Sequence, residues 1–398
     1  MRLSSRNSTI SWSEASIDPQ PMLHGAISIA RDLIAIPSVN PMGQAVSGPL
    51  YSEKGVATYV HNFLQKLHVD SRISGRNPEH PNVLGRIHVN APETVLLEAH
   101  MDTVSHEDME IAPFDPVLRG GMLYGRGSCD TKASLSAYLH ALSHILTSGK
   151  TLRRNVILAG VHNEEYSFGG SRELVTEGFE PTFAIVGEPT SLHVVYAHKG
   201  ICRFRLNTKG RSAHAALFWL GDNAIYRMAP VLKELDDYGR ELLDKPHKEL
   251  GPATLSVGRI SGGASVNTVP SFCSIDVDYR LLPGQSYGAI RDVLRDRVGS
   301  SGNEVVIEPP YLEIPGLHGT RDSKPCQALA AACHQADWNP EFQTAHYATD
   351  GSIISTAGIP VAVFGPGSIE LAHTKAECVP VREVELASAI IVALLTGP

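Results

Sequence analysis

Short apolar runs that alternate with stripes of helical period constrain this chain more than any other feature. Residues 82–89, 94–99, 155–161, 182–186 and 360–364 are apolar segments of strand length. Among them, Val56, Tyr59, Val60, Phe63, Leu64 and Leu67 fall on one helical stripe. Leu135, Tyr138, Leu139, Leu142, Ile145 and Leu146 form a second, which stops at Gly149, a residue suited to a helix exit. Strands alternating with helices predict an α/β fold, a sheet flanked on both faces in three α/β/α layers.

From residue 194 the rhythm changes. A strand (194–207), a helix (223–243), two strands (253–259 and 271–281), a helix (287–298) and a strand (304–307) follow in the βαββαβ order of a ferredoxin-like α+β unit. Beyond it, residues 326–336, 351–356 and 383–395 read as helices around the 360–364 strand, resuming the earlier style. The 398 residues exceed the roughly 250–300 at which one hydrophobic core stops growing, so two domains are expected. The larger would comprise 1–193 with 309–398, and 194–308 would be an insert large enough for its own small core.

Composition narrows the partners. Forty-two acidic residues against 34 basic ones give a net charge of −8, so no basic field exists to recruit nucleic acid or an anionic membrane. No apolar run approaches the roughly 20 residues that span a bilayer. Residues 1–22 carry Pro19 and Pro21 and lack the apolar stretch of a secretory signal. Six scattered cysteines suggest neither a disulfide framework nor a thiolate metal site, so a reducing cytoplasm is the expected compartment. The 18 histidines stand out, because histidine is the commonest metal ligand.

The chemistry-bearing residues sit where the strands end. The 94–99 strand runs into His100-Met101-Asp102, and residues two apart on an extended chain face one side, which leaves the pair as either a surface coincidence or an imidazole whose ring Asp102 steadies. Gly125-Arg126-Gly127-Ser128-Cys129-Asp130 precedes the second helical stripe, which leaves Asp130 as either a helix N-cap or a bridging carboxylate. The 155–161 strand leads to Asn163-Glu164-Glu165, which is either a solvated acidic loop or a pair of carboxylates that needs cations. The 182–186 strand leads to Glu188, and Ala372-His373-Thr374 follows Gly365-Pro366-Gly367. Carboxyl ends of strands are where α/β sheets place their ligand crevice. Imidazole and carboxylate donors without thiolate suit zinc, cobalt or manganese, and two histidines with three carboxylates suffice for two ions.

These five motifs, in this order, resemble the co-catalytic di-zinc deacylases and exopeptidases of metallopeptidase family twenty. That family includes acetylornithine deacetylase, succinyl-diaminopimelate desuccinylase, aminoacylase, carboxypeptidase G and dipeptidases. The resemblance runs from about Ile27 onward. It implies a zinc-exopeptidase-like catalytic domain with an inserted lid and dimerisation domain, and two divalent ions, zinc first, with cobalt or manganese as substitutes. One ion would be held by His100 and Glu188, the other by Glu165 and His373, with Asp130 bridging both. Asp102 would orient His100, and Glu164 would be the general base for a water that attacks an amide. The family also tends to place a cis peptide after the bridging aspartate, here Asp130-Thr131. Ala133 departs from a glycine common in the family and leaves the ligand intact.

The insert carries matching residues as well. His214, in Gly210-Arg211-Ser212-Ala213-His214, resembles the lid histidine that stabilises the oxyanion, in dimeric members across the subunit interface. Asn267 and Arg280 match positions at the substrate end of the cleft, where an arginine suits a carboxylate. Each of the three has an ordinary alternative as a strand or interface contact. The stretch from Phe364 to Ile369 is similar to the acetylornithine deacetylase branch. It implies a homodimeric N-acyl-amino-acid deacylase of amino-acid, specifically arginine, biosynthesis, acting on a small N-acyl amino acid or short peptide. A dipeptidase or carboxypeptidase is the enzymatic alternative. A metal-binding sensor is the non-enzymatic one, which the intact base and ligand positions disfavour.

Overall fold

The structure, a computed structural model, describes residues 25–299 and 304–397. The reading of residues 1–22 lies outside the described residues. An eight-stranded sheet runs in the order Asp70–Asn77, His80–Ile87, Asn155–Val161, Thr94–His100, Phe183–Val186, Val361–Val363, Val194–His198, Phe342–Ala345. Thr94–His100 is parallel to both of its neighbours, and its side chains alternate between two covered faces. Val95, Leu97 and Ala99 enter one core with Leu33, Val60, Leu139, Leu329 and Ile391, which come from five helices. Leu96 enters another with Leu174 and Ile354, from the helices Gly169–Val175 and Asp350–Thr356. The expected three layers result.

The helix Lys132–Ser148 is buried along most of its length, because it packs on the sheet between Ala26–Ile34 and Val381–Thr396. It ends at Gly149 in the left-handed conformation, φ 72°, which a glycine adopts without Cβ strain. The single strand expected over 194–207 is two strands. Val194–His198 stays in the large sheet beside Phe342–Ala345, and Gly200–Lys209 opens a second sheet. Gly200 makes the crossing possible, since a Cβ there would lie 2.2 Å from the carbonyl oxygen of Ile314 on the returning chain. Leu312–Ile314 also pairs with Gly200–Lys209, so the second sheet extends past residue 308.

That second sheet is antiparallel, in the order Thr254–Gly262, Phe272–Leu281, Gly200–Lys209, Val305–Ile307. This is the ferredoxin-like strand order. Helices Ala224–Leu243 and Tyr287–Gly299 close a separate core that includes Phe204, Leu206, Met228, Leu235, Ile275 and Leu294. Asn223 caps the first of them, its side chain accepting from the amides of Ile225 and Tyr226. No described helix is long and apolar enough to cross a membrane.

Candidate metal centre

Three adjacent parallel strands deliver the acidic and histidine side chains to one edge of the large sheet. His100 is the last residue of Thr94–His100, Glu164 and Glu165 follow Asn155–Val161, and Glu188 follows Phe183–Val186. Asp130 arrives from the loop before Lys132–Ser148, and His373 from the segment before Cys378–Pro380. His100 Nε2 lies 2.9 Å from Asp130 Oδ1, while His373 Nε2 lies 3.1 Å from Asp130 Oδ2 and 3.2 Å from Glu165 Oε1. Asp130 therefore stands between two imidazoles, one on each carboxylate oxygen. One ligand atom each from His100, Asp130 and Glu165 can be chosen so that all lie within 4.8 Å of one another. The Asp130–Thr131 peptide is cis.

Asp102 works differently from the expectation. The Nδ1 of His100 is 3.0 Å from the Asp102 carbonyl oxygen and 3.6 Å from its carboxylate, the latter too long for a hydrogen bond. The backbone carbonyl thus steadies the ring. The buried carboxylate instead accepts from Asn40 Nδ2 at 2.8 Å and from the amides of Glu164 and Glu165 at 3.0 and 3.1 Å. It fixes the backbone on which both glutamates stand.

The electrostatics describe a crevice short of positive charge. Burial, then the carboxylate of Asp130, push Glu188 well above the usual range, and burial with the Glu188 carboxylate does the same to Glu164. Glu165 is pushed up to about 6, by burial first and by Asp130 second. Burial also opposes charge on Asp130, yet its hydrogen bonds to His100 and His373 hold it well below the carboxylate range. The bonds from Asp130 and Glu165 lift His373 to about 11. Two imidazoles cannot balance four closely spaced carboxylates in a buried crevice, and divalent cations can. The donor set, imidazole and carboxylate without thiolate, fits zinc, cobalt or manganese.

The residues of the smaller sheet are not brought to this cluster. His214 is exposed, and its Nδ1 accepts from the amide of Ala216 at 3.1 Å. Asn267 lies beside it, its carbonyl accepting from the Ala215 amide at 2.9 Å and its side chain bonded to Ser265. Arg280 is partly buried and pairs through Nε with Asp278 at 2.7 Å. Sequence reading missed Glu98 and Asp350, two fully buried acids, and Glu377, which bonds the Asp130 loop. Glu98 occupies an inward strand position, and an acid inside an apolar run was a usable signal.

A second carboxylate supports the Glu164 loop from outside. Glu53 accepts from the Asn163 amide at 3.2 Å through Oε1 and contacts His80 Nδ1 at 2.5 Å through Oε2. The hydrogen bond to Glu53 raises the pKa of His80 despite partial burial, and burial raises that of Glu53. A raised imidazolium pKa contributes stability that is complete below the unfolded value of about 6.5 and is lost as pH climbs through the folded value. Glu53 must itself be ionised, which sets the lower edge of the window. Denaturant titrations of the parent and His80→Gln should therefore differ most just below the free-imidazole value of about 6.5 and converge as pH rises well above it. A gap that stayed constant across that range would rule out a charged ring.

The family model for peptidase family M20/M25/M40 matches residues 96–397. Acetylornithine deacetylase of Myxococcus xanthus is 30% identical over 308 residues, covering 74% of this chain and 77% of its own length. A protein named Probable carboxypeptidase from Aspergillus flavus is 29% identical over 402 residues, covering 93% of this chain and 88% of its own. Among solved structures, an M20 family metallo-carboxypeptidase from Sulfolobus solfataricus superposes with a TM-score of 0.76 at 19% identity, over 94% of this chain and 99% of that one. A structure described as a dinuclear metal binding peptidase from the M20 family of Bacillus subtilis gives 0.69 at 15% identity, over 93% and 96%. The last two likenesses concern the fold alone.

Proposed function

This chain belongs to peptidase family M20/M25/M40 and is a hydrolase acting on amide bonds, and from that premise we propose that it removes the N-acyl group from a small N-acyl amino acid with the aid of two divalent ions. The observation that carries the reading is the cluster of His100, Asp130 and Glu165, with His373 on the open side and the buried Glu164 beside it. His100 and Glu188 would hold one ion, Glu165 and His373 the other, and Asp130 both. When bound, such ions polarise an acyl oxygen and lower the pKa of a nearby water towards about 7. Zinc is the first choice for the donor set.

The remaining chemistry belongs to the chain. Glu164, whose amide is pinned to Asp102, takes a proton from water as its oxygen bonds to the acyl carbon. When the C–N bond breaks, Glu164 returns that proton to the departing amine. His214 donates a hydrogen bond to the oxyanion from the lid of a second copy, and Arg280 and Asn267 hold the substrate carboxylate. The module whose sheet runs from Gly200 to Ile314 acts as that lid and as the dimer contact, and the enzyme works in the cytoplasm.

For the substrate, the likeness to acetylornithine deacetylase supports an N-acyl-amino-acid deacylase of the acetylornithine type. The similar identity to a carboxypeptidase over more of the chain favours a second reading, a carboxypeptidase or dipeptidase. The zinc- or cobalt-loaded enzyme should be assayed on N-acetylornithine, other N-acetyl and N-succinyl amino acids, and a dipeptide panel. The highest kcat/KM is expected among the N-acyl amino acids. A clear preference for dipeptides would replace the first reading by the second.

A further inference from the structure

Glu377 is fully buried, lies four residues after His373, and has no part in the ligand set proposed above. Both of its carboxylate oxygens are occupied by the loop that carries Asp130. Oε2 accepts from Arg126 Nη1 at 2.7 Å and from the Gly127 amide at 3.1 Å. Oε1 accepts from the amides of Cys129 and Asp130 at 2.9 and 3.1 Å. The Glu377 carbonyl accepts in turn from the Gly125 amide at 3.2 Å. Five hydrogen bonds therefore join one residue of the His373 segment to the loop, four to backbone amides between residues 125 and 130 and one to the Arg126 side chain.

This arrangement does more than satisfy a buried acid. Asp130 and His373 come from segments far apart in sequence; the strand Cys378–Pro380 that follows the His373 segment pairs with Met122–Tyr124 before the Asp130 loop, but that ladder includes neither residue of the 3.1 Å contact from Nε2 to Oδ2. His373 is exposed and sits at φ 61°, in the left-handed region that a residue with a Cβ seldom occupies. With the side chain half exposed, packing alone does not fix the ring. The buried carboxylate four residues later can help to set its position, because it fixes the amide of Asp130 itself and, through its own backbone, the segment that presents His373.

We propose that Glu377 is a positioning residue that couples the Asp130 loop to the His373 segment and so sets the spacing of the two-ion centre. The proposal rests on the metal reading given above. Partners that orient metal ligands typically affect metal affinity by about 10- to 100-fold when changed. Glu377→Gln keeps the shape but has one oxygen in place of two. Whichever way its amide turns, an NH2 group faces two N–H donors, so one donor pair loses its acceptor.

The full-length chain, stripped with a chelator, is titrated with zinc against a competing chromophoric chelator, and bound metal is counted by mass spectrometry. Glu377→Gln should weaken the binding of at least one zinc equivalent by about 10- to 100-fold, lower kcat more than it raises KM, and keep a native circular dichroism spectrum. Ile391→Ala, a core truncation on the following helix, controls for lost stability and should leave zinc affinity at the parent value. If Glu377→Gln does not fold, Glu377→Asp is measured instead, since its shorter side chain cannot reach all four donors and should weaken zinc in the same direction. Parental zinc affinity in the folded Glu377 variant would overturn the proposal while leaving the metal reading intact. An equal loss in Ile391→Ala would overturn it as well, by reducing the effect to general destabilisation. Failure of the parent itself to bind zinc, or a His100→Ala variant that binds as the parent does, would remove the metal reading and the proposal together.

Discussion

Glu164→Ala is expected to lower kcat by about 10²- to 10⁴-fold, the range contributed by a positioned general acid–base, while both metal equivalents remain bound. The structure separates these two effects. Glu164 reaches the site through its side chain, whereas its backbone amide is what bonds Asp102 Oδ1, and alanine keeps that amide. The substitution also removes a buried carboxyl whose charge is opposed by burial and by Glu188. Stripped of metal, the variant should therefore melt no lower than the stripped parent, because relief of that repulsion is expected to offset the small void. Glu165→Ala provides the contrast. Glu165 contacts His373 and belongs to the cluster of ligand atoms, so its loss should cost metal as well as turnover. Metal content, melting temperature and kcat measured on the two variants resolve the assignment. If Glu164→Ala kept near-parental turnover, the general base would lie elsewhere.

The parts of this protein that were legible in the sequence are those written in local patterns. An apolar run ending in His100 announces both a buried strand and the side chain at its tip, and the same logic places Glu164, Glu165 and Glu188. The helix Lys132–Ser148 shows its stripe and its terminal glycine within one stretch. Features built from distant residues left no comparable mark. Glu377 and the amides it binds are some 250 positions apart, and nothing in Ala376-Glu377-Cys378 says where that carboxylate goes. Asn40 likewise shows its importance only once it donates to Asp102 and Asn163. The edge strand Asp70–Asn77 was missed because it is largely exposed, so no alternation of apolar residues was required of it. The split between Val194–His198 and Gly200–Lys209 was hidden for the opposite reason: both strands are apolar enough to read as one, and the exit at Gly200 depends on how closely Ile314 passes. Even Asp102, identified correctly as a neighbour of His100, uses its carbonyl on the ring and its carboxylate on the Glu164 loop, a division that residue spacing cannot express.

His214→Ala is expected to lower kcat by about 10²- to 10³-fold, the usual cost of one oxyanion donor, with little change in KM. Its placement determines how the test should be built. His214 is exposed and makes no described contact with the metal cluster, and it is followed by Phe218, Trp219 and Leu220, which are 67%, 63% and 56% exposed. Large apolar side chains in such a run are costly to leave in water, which fits the dimer contact proposed for this module. A second copy of the chain would cover the run and receive His214 in the same contact, because a two-fold interface presents the same elements from both sides. Glu164→Ala carries an intact His214, and His214→Ala an intact Glu164. If the histidine acts across the interface, mixing and re-annealing the two nearly inactive variants should restore roughly a quarter of parental activity, since half of the dimers are mixed and each of those rebuilds one complete site. A histidine that served its own subunit could not be rescued, because each chain in the mixed dimer would retain one defect. Specific activity should also fall as dilution separates the subunits, in step with the dimer fraction measured by sedimentation. Full activity in a verified monomer would return His214 to its own chain and require the smaller module to close over the metal centre from the same subunit.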